Sequence, residues 1–133
     1  MDPTTSVPAK KRILIVEDEL FIRDVYVTVL SEDGYQIDQA ADGAEGIAKM
    51  QEGGYDLVLL DIMLPKMDGI AILSELQKNP PKKSNKAIVL VTNMDQEKTI
   101  AQAVSMGVRG YLIKSQIDPG QLKEEVKNYL SSA

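Results

Sequence analysis

Short apolar runs in this chain stop at residues that can do chemistry. Ile13-Leu14-Ile15-Val16 gives way to Glu17-Asp18-Glu19, Leu57-Val58-Leu59-Leu60 to Asp61, Ala87-Ile88-Val89-Leu90-Val91 to Thr92, and Gly110-Tyr111-Leu112-Ile113 to Lys114. Taken singly, each has a plain structural explanation. An acidic triplet ahead of a helix serves as a cap and complements the helix dipole, Thr92 can start a helix, and Lys114 can be a solvated strand end. Asp61 resists this reading, because an unpaired carboxylate set against a core needs its charge compensated. Together the residues describe a site. Carboxylates brought close would repel one another unless a divalent cation stood between them, and an all-oxygen donor set favours Mg2+, with Mn2+ as a substitute. Asp61 can then act as a nucleophile towards phosphorus. Lys114 would neutralise phosphoryl oxygens and Thr92 would donate to one of them.

Whether these residues meet depends on the elements that carry them. The four runs, with Gln36-Ile37-Asp38-Gln39-Ala40, read as five strands. Residues 19–34, 43–53, 68–79, 95–107 and 118–130 are each long enough for a helix. Asp118-Pro119-Gly120-Gln121 places an N-cap, Pro at the first helical position and Gln three residues after the cap. Leu122, Val126 and Leu130 then mark one face of the last helix. Gly34 and Gly107 are helix stops, and the polar stretch Lys78–Lys86 is a surface loop. Strand–helix alternation with continuously apolar strands predicts an α/β fold, a doubly wound five-stranded parallel sheet. In such folds ligands bind beyond the carboxyl ends of the strands, where all four chemical positions fall.

Composition closes off alternatives. A chain of 133 residues is the size of one domain, and it contains no Cys and no His. Thiolate nucleophiles, His general bases and Cys/His zinc sites are excluded. A net charge of −5 argues against a general nucleic-acid binder. No apolar run reaches membrane-spanning length and no signal-peptide core is present, so the expected location is cytoplasmic. Residues 1–10 read as a flexible leader and 11–133 as the folded domain. The basic residues Lys78, Lys82, Lys83 and Lys86 lack interleaved aromatics for base stacking.

Val16-Glu17-Asp18-Glu19, Leu60-Asp61-Ile62-Met63-Leu64-Pro65-Lys66-Met67-Asp68-Gly69, Val91-Thr92 and Gly110-Tyr111-Leu112-Ile113-Lys114 resemble the signature of response-regulator receiver domains of two-component signalling. The similarity runs from about Arg12 to Leu130. It implies a flavodoxin-like (βα)5 fold with strand order 2-1-3-4-5. It further implies that Asp61 is the phosphoacceptor, and that Asp18, Glu17, Asp61 and the backbone carbonyl of Met63 surround Mg2+. Thr92 would be the switch hydroxyl, Tyr111 the aromatic that swings inward behind it, and Lys114 the cation on the phosphoryl oxygen. The phosphodonor would be a histidine kinase or a histidine phosphotransfer protein, since this chain has no His of its own. The readout would pass through residues 94–130 to a downstream protein, with Met94, Ile100, Met106, Val108 and Tyr111 as candidate apolar contacts, some of them expected to be simply core. A phosphorylation-dependent homodimer is one form that readout could take. The sequence reads as a stand-alone receiver limited to phosphotransfer onto itself and autodephosphorylation, not as an enzyme, and with neither nucleic acid nor membrane as a direct partner.

Two positions depart from the family pattern. Ser115 follows Lys114 where the family usually has Pro, so the Lys114–Ser115 bond is expected to be trans. Asn93 follows Thr92 where a small residue is common, placing an amide beside the phosphoryl position. Three rival readings fit the residues less well. A Mg2+-dependent phosphatase would want a second Asp two residues after Asp61, and position 63 is Met. A degenerate receiver used only for binding fits poorly with a complete acidic and Lys set. A nucleotide-binding fold lacks the glycine-rich phosphate loop after the first strand.

Overall fold

The computed structural model describes residues 10–93 and 97–131. Its elements alternate: β1 (Arg12–Val16), α1 (Leu20–Ser31), β2 (Gln36–Ala40), α2 (Gly43–Glu52), β3 (Leu57–Leu60), α3 (Gly69–Lys78), β4 (Ile88–Thr92), α4 (Glu97–Ser105), β5 (Gly110–Ile113) and α5 (Pro119–Ser131). The strands form one parallel sheet in the order β2-β1-β3-β4-β5. The order reverses at β1, so the crevice between the ends of β1 and β3 is the place for a ligand.

Side-chain alternation along the strands builds two cores. Leu14, Val16, Val58, Leu60 and Leu90 pack with Met50, Ile72, Leu73 and Ala103 beneath α2, α3 and α4. Ile13, Ile15, Leu57, Leu59, Val89, Val91 and Leu112 pack with Tyr26, Leu30, Leu122 and Val126 beneath α1 and α5. Each fully buried aliphatic side chain stabilises the fold by roughly 1.5–3 kcal/mol, which is why, after Arg12 at the start of β1, the three central strands carry no polar residue until their carboxyl ends.

The helix ends follow side-chain chemistry. Asp118 Oδ1 accepts from the Gln121 N–H and Gln121 Oε1 accepts from the Asp118 N–H, both at 2.8 Å, a reciprocal cap that starts α5 as the sequence predicts. Asp42 and Asp68 cap α2 and α3 one-sidedly, their carboxylates accepting from the Glu45 and Ala71 N–H groups. Gly34 and Gly107 stand at φ +83° and +102° after α1 and α4.

Some boundaries differ from the sequence reading. α1 stops at Ser31, and residues 32–34 make a turn instead of a last helical turn. β4 runs one residue later than Ala87–Val91, so Thr92 is the last strand residue, paired in register with Ile113. The start of the fourth helix, with Met94, lies outside the described residues. The Lys78–Lys86 stretch is a surface loop, but a tethered one. Gly53 and Gly54, both at positive φ, let Lys83 approach: the Gly54 N–H donates to the Lys83 carbonyl, and a Cβ at Gly53 would lie 1.6 Å from that oxygen. No described peptide bond is cis, and Lys114–Gln116 form a short 3-10 turn where the family's Pro is replaced.

Candidate functional site

Glu17, Asp18, Asp61, Thr92 and Lys114 converge because four neighbouring parallel strands end side by side. Carboxylate oxygens of Glu17, Asp18 and Asp61 all lie within 4.8 Å of one another. The cluster opens into a cleft of about 200 Å3 lined by Asp18, Glu19, Asp61, Met63, Asn93 and Lys114. Glu17 and Asp61 are buried, at 2% and 4% exposure, whereas Asp18 faces solvent.

Lys114 compensates the two buried carboxylates. Its ammonium lies 2.5 Å from Glu17 Oε1 and donates to Asp61 Oδ2 at 2.7 Å. The second oxygen of Asp61 accepts from the Met63 N–H at 3.2 Å, and the second oxygen of Glu17 accepts from the Glu19 N–H at 3.0 Å. Among the described residues no buried side-chain polar atom is left without a partner. Burial raises the Glu17 carboxyl above its usual range, against the opposing pull of the Lys114 and Glu19 contacts. Burial also pulls Lys114 down, but its hydrogen bonds to Asp61 and Glu17 outweigh that and hold it above the usual lysine value. Two clustered carboxylates and one exposed carboxylate, all offering hard oxygen donors, suit a hard divalent cation.

The acidic triplet is therefore more than a cap. Glu19 occupies the N-cap position of α1 without any side-chain cap bond, and the carboxylate of Glu17 turns back to the Glu19 amide. Met63 lines the cleft from the loop after β3. That loop is built tightly: Lys66 sits at φ +69°, Gly43 of α2 donates to the Pro65 carbonyl, and a Cβ at Gly69 would lie 2.7 Å from the Asp61 carbonyl.

Thr92 is fully buried, and Tyr111 is 48% exposed on β5, turned outward in this structure. A cleft of about 420 Å3 beside it is lined by Glu97, Ile100 and Ala101 of α4 and by Ile113 and Gln116. Two of the expected apolar surface contacts belong elsewhere. Val108 is buried in the core, and Met106 packs against the same core. Sequence reasoning also passed over Arg23, which donates from Nη1 to the Glu17 carbonyl at 2.7 Å, and Lys66, whose ammonium lies 3.2 Å from Asp42. Phe21, at 80% exposure on the first turn of α1, is a further apolar group beside the acidic end of the sheet.

Comparison with known proteins agrees with this geometry. The chain is 30% identical over 125 residues to the chemotaxis protein CheY of Treponema pallidum, covering 92% of this chain and 84% of that protein. It is 34% identical over 121 residues to a probable transcriptional regulator, ycf27, of Cyanophora paradoxa, covering 91% of this chain but only 48% of the relative, about half its length. Among solved structures, a CheY-like response regulator receiver domain protein from Methanospirillum hungatei superimposes with a TM-score of 0.82 at 31% identity, covering 93% of this chain and 96% of that one. No described helix is long and apolar enough to cross a membrane. The family model for the response regulator receiver domain matches residues 13–127, and the chain belongs to that family of CheY-like two-component signalling domains.

Proposed function

We propose that Asp61 accepts a phosphoryl group from the phosphohistidine of a partner histidine kinase or histidine phosphotransfer protein, and that the modified domain signals to a downstream protein through its own surface. The observation that carries this reading is the placement of Asp61: buried, held at both oxygens by Lys114 and the Met63 amide, and open to a cleft shared with Asp18.

In the reaction an Asp61 carboxylate oxygen attacks phosphorus, the phosphorus–nitrogen bond breaks, and the electron pair leaves with the imidazole. The product is an acyl phosphate on Asp61. Glu17, Asp18, Asp61 and the Met63 carbonyl are the groups proposed to hold Mg2+, which when bound neutralises phosphoryl charge. Lys114 moves its contact from the Asp61 carboxylate to a phosphoryl oxygen, and the fixed Met63 amide keeps the acceptor carboxylate aimed at the cleft. Thr92, at the end of β4, donates its hydroxyl to a second phosphoryl oxygen. Tyr111 then leaves its exposed position for the α4 side of β5, where the neighbouring cleft gives it room. That change biases two arrangements of the face formed by α4, β5 and α5.

Incubation with a small-molecule phosphodonor and Mg2+, followed by intact-protein mass measurement, tests the acceptor. One hydroxylamine-labile phosphoryl group per chain, absent in Asp61→Asn, is the expected result. Equal labelling of Asp61→Asn removes Asp61 from the role.

A further inference from the structure

Every polar group of Glu17 is engaged, and one side chain acts on its backbone. The β1–β2 ladder ends at the pair Val16–Ala40, with one last bond from the Glu17 N–H to the Ala40 carbonyl at 3.0 Å. Beyond that point the Glu17 carbonyl has left the ladder. Glu17 is only 2% exposed, and among the described residues no backbone N–H reaches this oxygen. Its donor is the guanidinium of Arg23, from the second turn of α1, at 2.7 Å. The same guanidinium donates from Nε to Gln39 Oε1 on β2 at 3.1 Å. Arg23 is itself fixed by helical bonding of its N–H to the Glu19 carbonyl at 2.9 Å.

We infer that Arg23 is a positioning residue that sets the directions of both acidic side chains at the end of β1 by fixing the peptide between Glu17 and Asp18. The inference rests on the reading of Glu17, Asp18 and Asp61 as a cation site. The physical link is planarity: the Glu17 carbonyl and the Asp18 N–H belong to one rigid peptide unit, so holding the oxygen sets the orientation in which the Asp18 Cα departs. A charge-assisted bond to that oxygen resists rotation of the unit. Without it, a buried carbonyl is left unpaired and gains by turning towards water. The planar fork of Arg serves the Glu17 and Gln39 acceptors at once, which a lysine ammonium on a flexible stem does not do in the same fixed geometry. Outer partners that orient ligands in this manner typically change metal affinity by about 10- to 100-fold when removed.

The test uses Mn2+ as the probe, with free ion counted by electron paramagnetic resonance, and the Asp18 amide 15N shift of the metal-free protein as a second readout. Arg23→Gln, Arg23→Lys and Gln39→Ala are compared with wild type well below their melting temperatures. The expected result is Mn2+ affinity weakened about tenfold or more in Arg23→Gln, partly restored in Arg23→Lys, and within about twofold of wild type in Gln39→Ala. The Asp18 signal should move in Arg23→Gln and stay in place in Gln39→Ala. Normal Mn2+ titration of wild type with an unchanged Arg23→Gln titration and Asp18 signal overturns the role of Arg23 alone. Absence of Mn2+ binding by wild type, with the Asp18 signal still moving in Arg23→Gln, overturns the cation reading and leaves Arg23 as the residue that fixes this peptide.

Discussion

The Lys114 ammonium bridges Glu17 and Asp61, so a single side chain just past the end of β5 neutralises carboxylates just past the ends of β1 and β3. A divalent cation held by Glu17, Asp18 and Asp61, as proposed, would share the Glu17 and Asp61 carboxylates with this ammonium. With side-chain exposures of 7% for Lys114 and 3% and 5% for its partners, the cluster is too dry for the charges to be independent.

Replacing Lys114 by Met should therefore have opposite effects on binding and on chemistry. Two buried carboxylates are left facing each other, which destabilises the metal-free fold by about 3–5 kcal/mol. A bound divalent cation offsets that repulsion, so Mg2+ should raise the melting temperature of Lys114→Met more than that of wild type. Phosphoryl acceptance should fall about 100-fold or more, because a donor to the developing phosphoryl charge is gone. Thermal melts with and without Mg2+, and labelling rates with a small phosphodonor, check both.

Asn93 lines the cleft beside Asp61, and on the proposed function its amide would hold a water near the acyl phosphate. Asn93→Ala should lengthen the phosphoryl half-life several-fold, since a positioned partner for the attacking water is lost. Mass measurement of the phosphorylated fraction over time is sufficient. Equal half-lives would remove Asn93 from hydrolysis.

Gly43 marks where α2 meets the loop that follows Asp61. A Cβ there would lie 1.6 Å from the Met67 carbonyl, a backbone atom that no side-chain rotation can relieve. Gly43→Ala should destabilise the protein by about 1–3 kcal/mol, the usual range for overpacking. Urea unfolding measures it, and an unchanged midpoint would show that the loop moves freely.

Asp56 supplies a test away from the site. Burial pushes its carboxyl up, but the hydrogen bond from the Arg12 N–H and the nearby Lys86 ammonium outweigh this and hold it below its usual value of 3.8. A carboxyl depressed in the folded state adds stability that is complete above 3.8 and is lost as pH falls through the lower folded value. The stability gap between wild type and Asp56→Asn should be widest at neutral pH and narrow steadily below pH 3.8. Urea midpoints across that range decide the matter, and a gap that widened on acidification would contradict the sign.

The residues that reveal themselves in sequence are those that interrupt a pattern. Asp61 ends an all-apolar strand, and Lys114 does the same on β5, so both are visible as exceptions. Asp118 and Gln121 are visible because a reciprocal cap has a fixed spacing. Arg23 interrupts nothing: a charged residue on an amphipathic helix is ordinary, and its target is a backbone oxygen that carries no sequence label. The same holds for Lys83, whose carbonyl meets Gly54 across 29 residues of chain by an approach that two glycines permit. Strand boundaries shift by a residue because Ala87 still accepts from Val58 while lying outside the strand.

The division of the sheet into two cores also sorts the site by side. Leu90 belongs to the core under α2, α3 and α4, and Thr92, two residues on, shares its side of β4; Tyr111, in register with Leu90, flanks the cleft towards α4. Val89, Val91 and Leu112 instead face α1 and α5. On the proposed function, a displacement begun at the Thr92 hydroxyl would enter the layer of α4 first and reach α5 only through β5. If Asp61 is phosphorylated as proposed, amide exchange should change in α4, on the Thr92 side of the sheet, before it changes in α1 on the other.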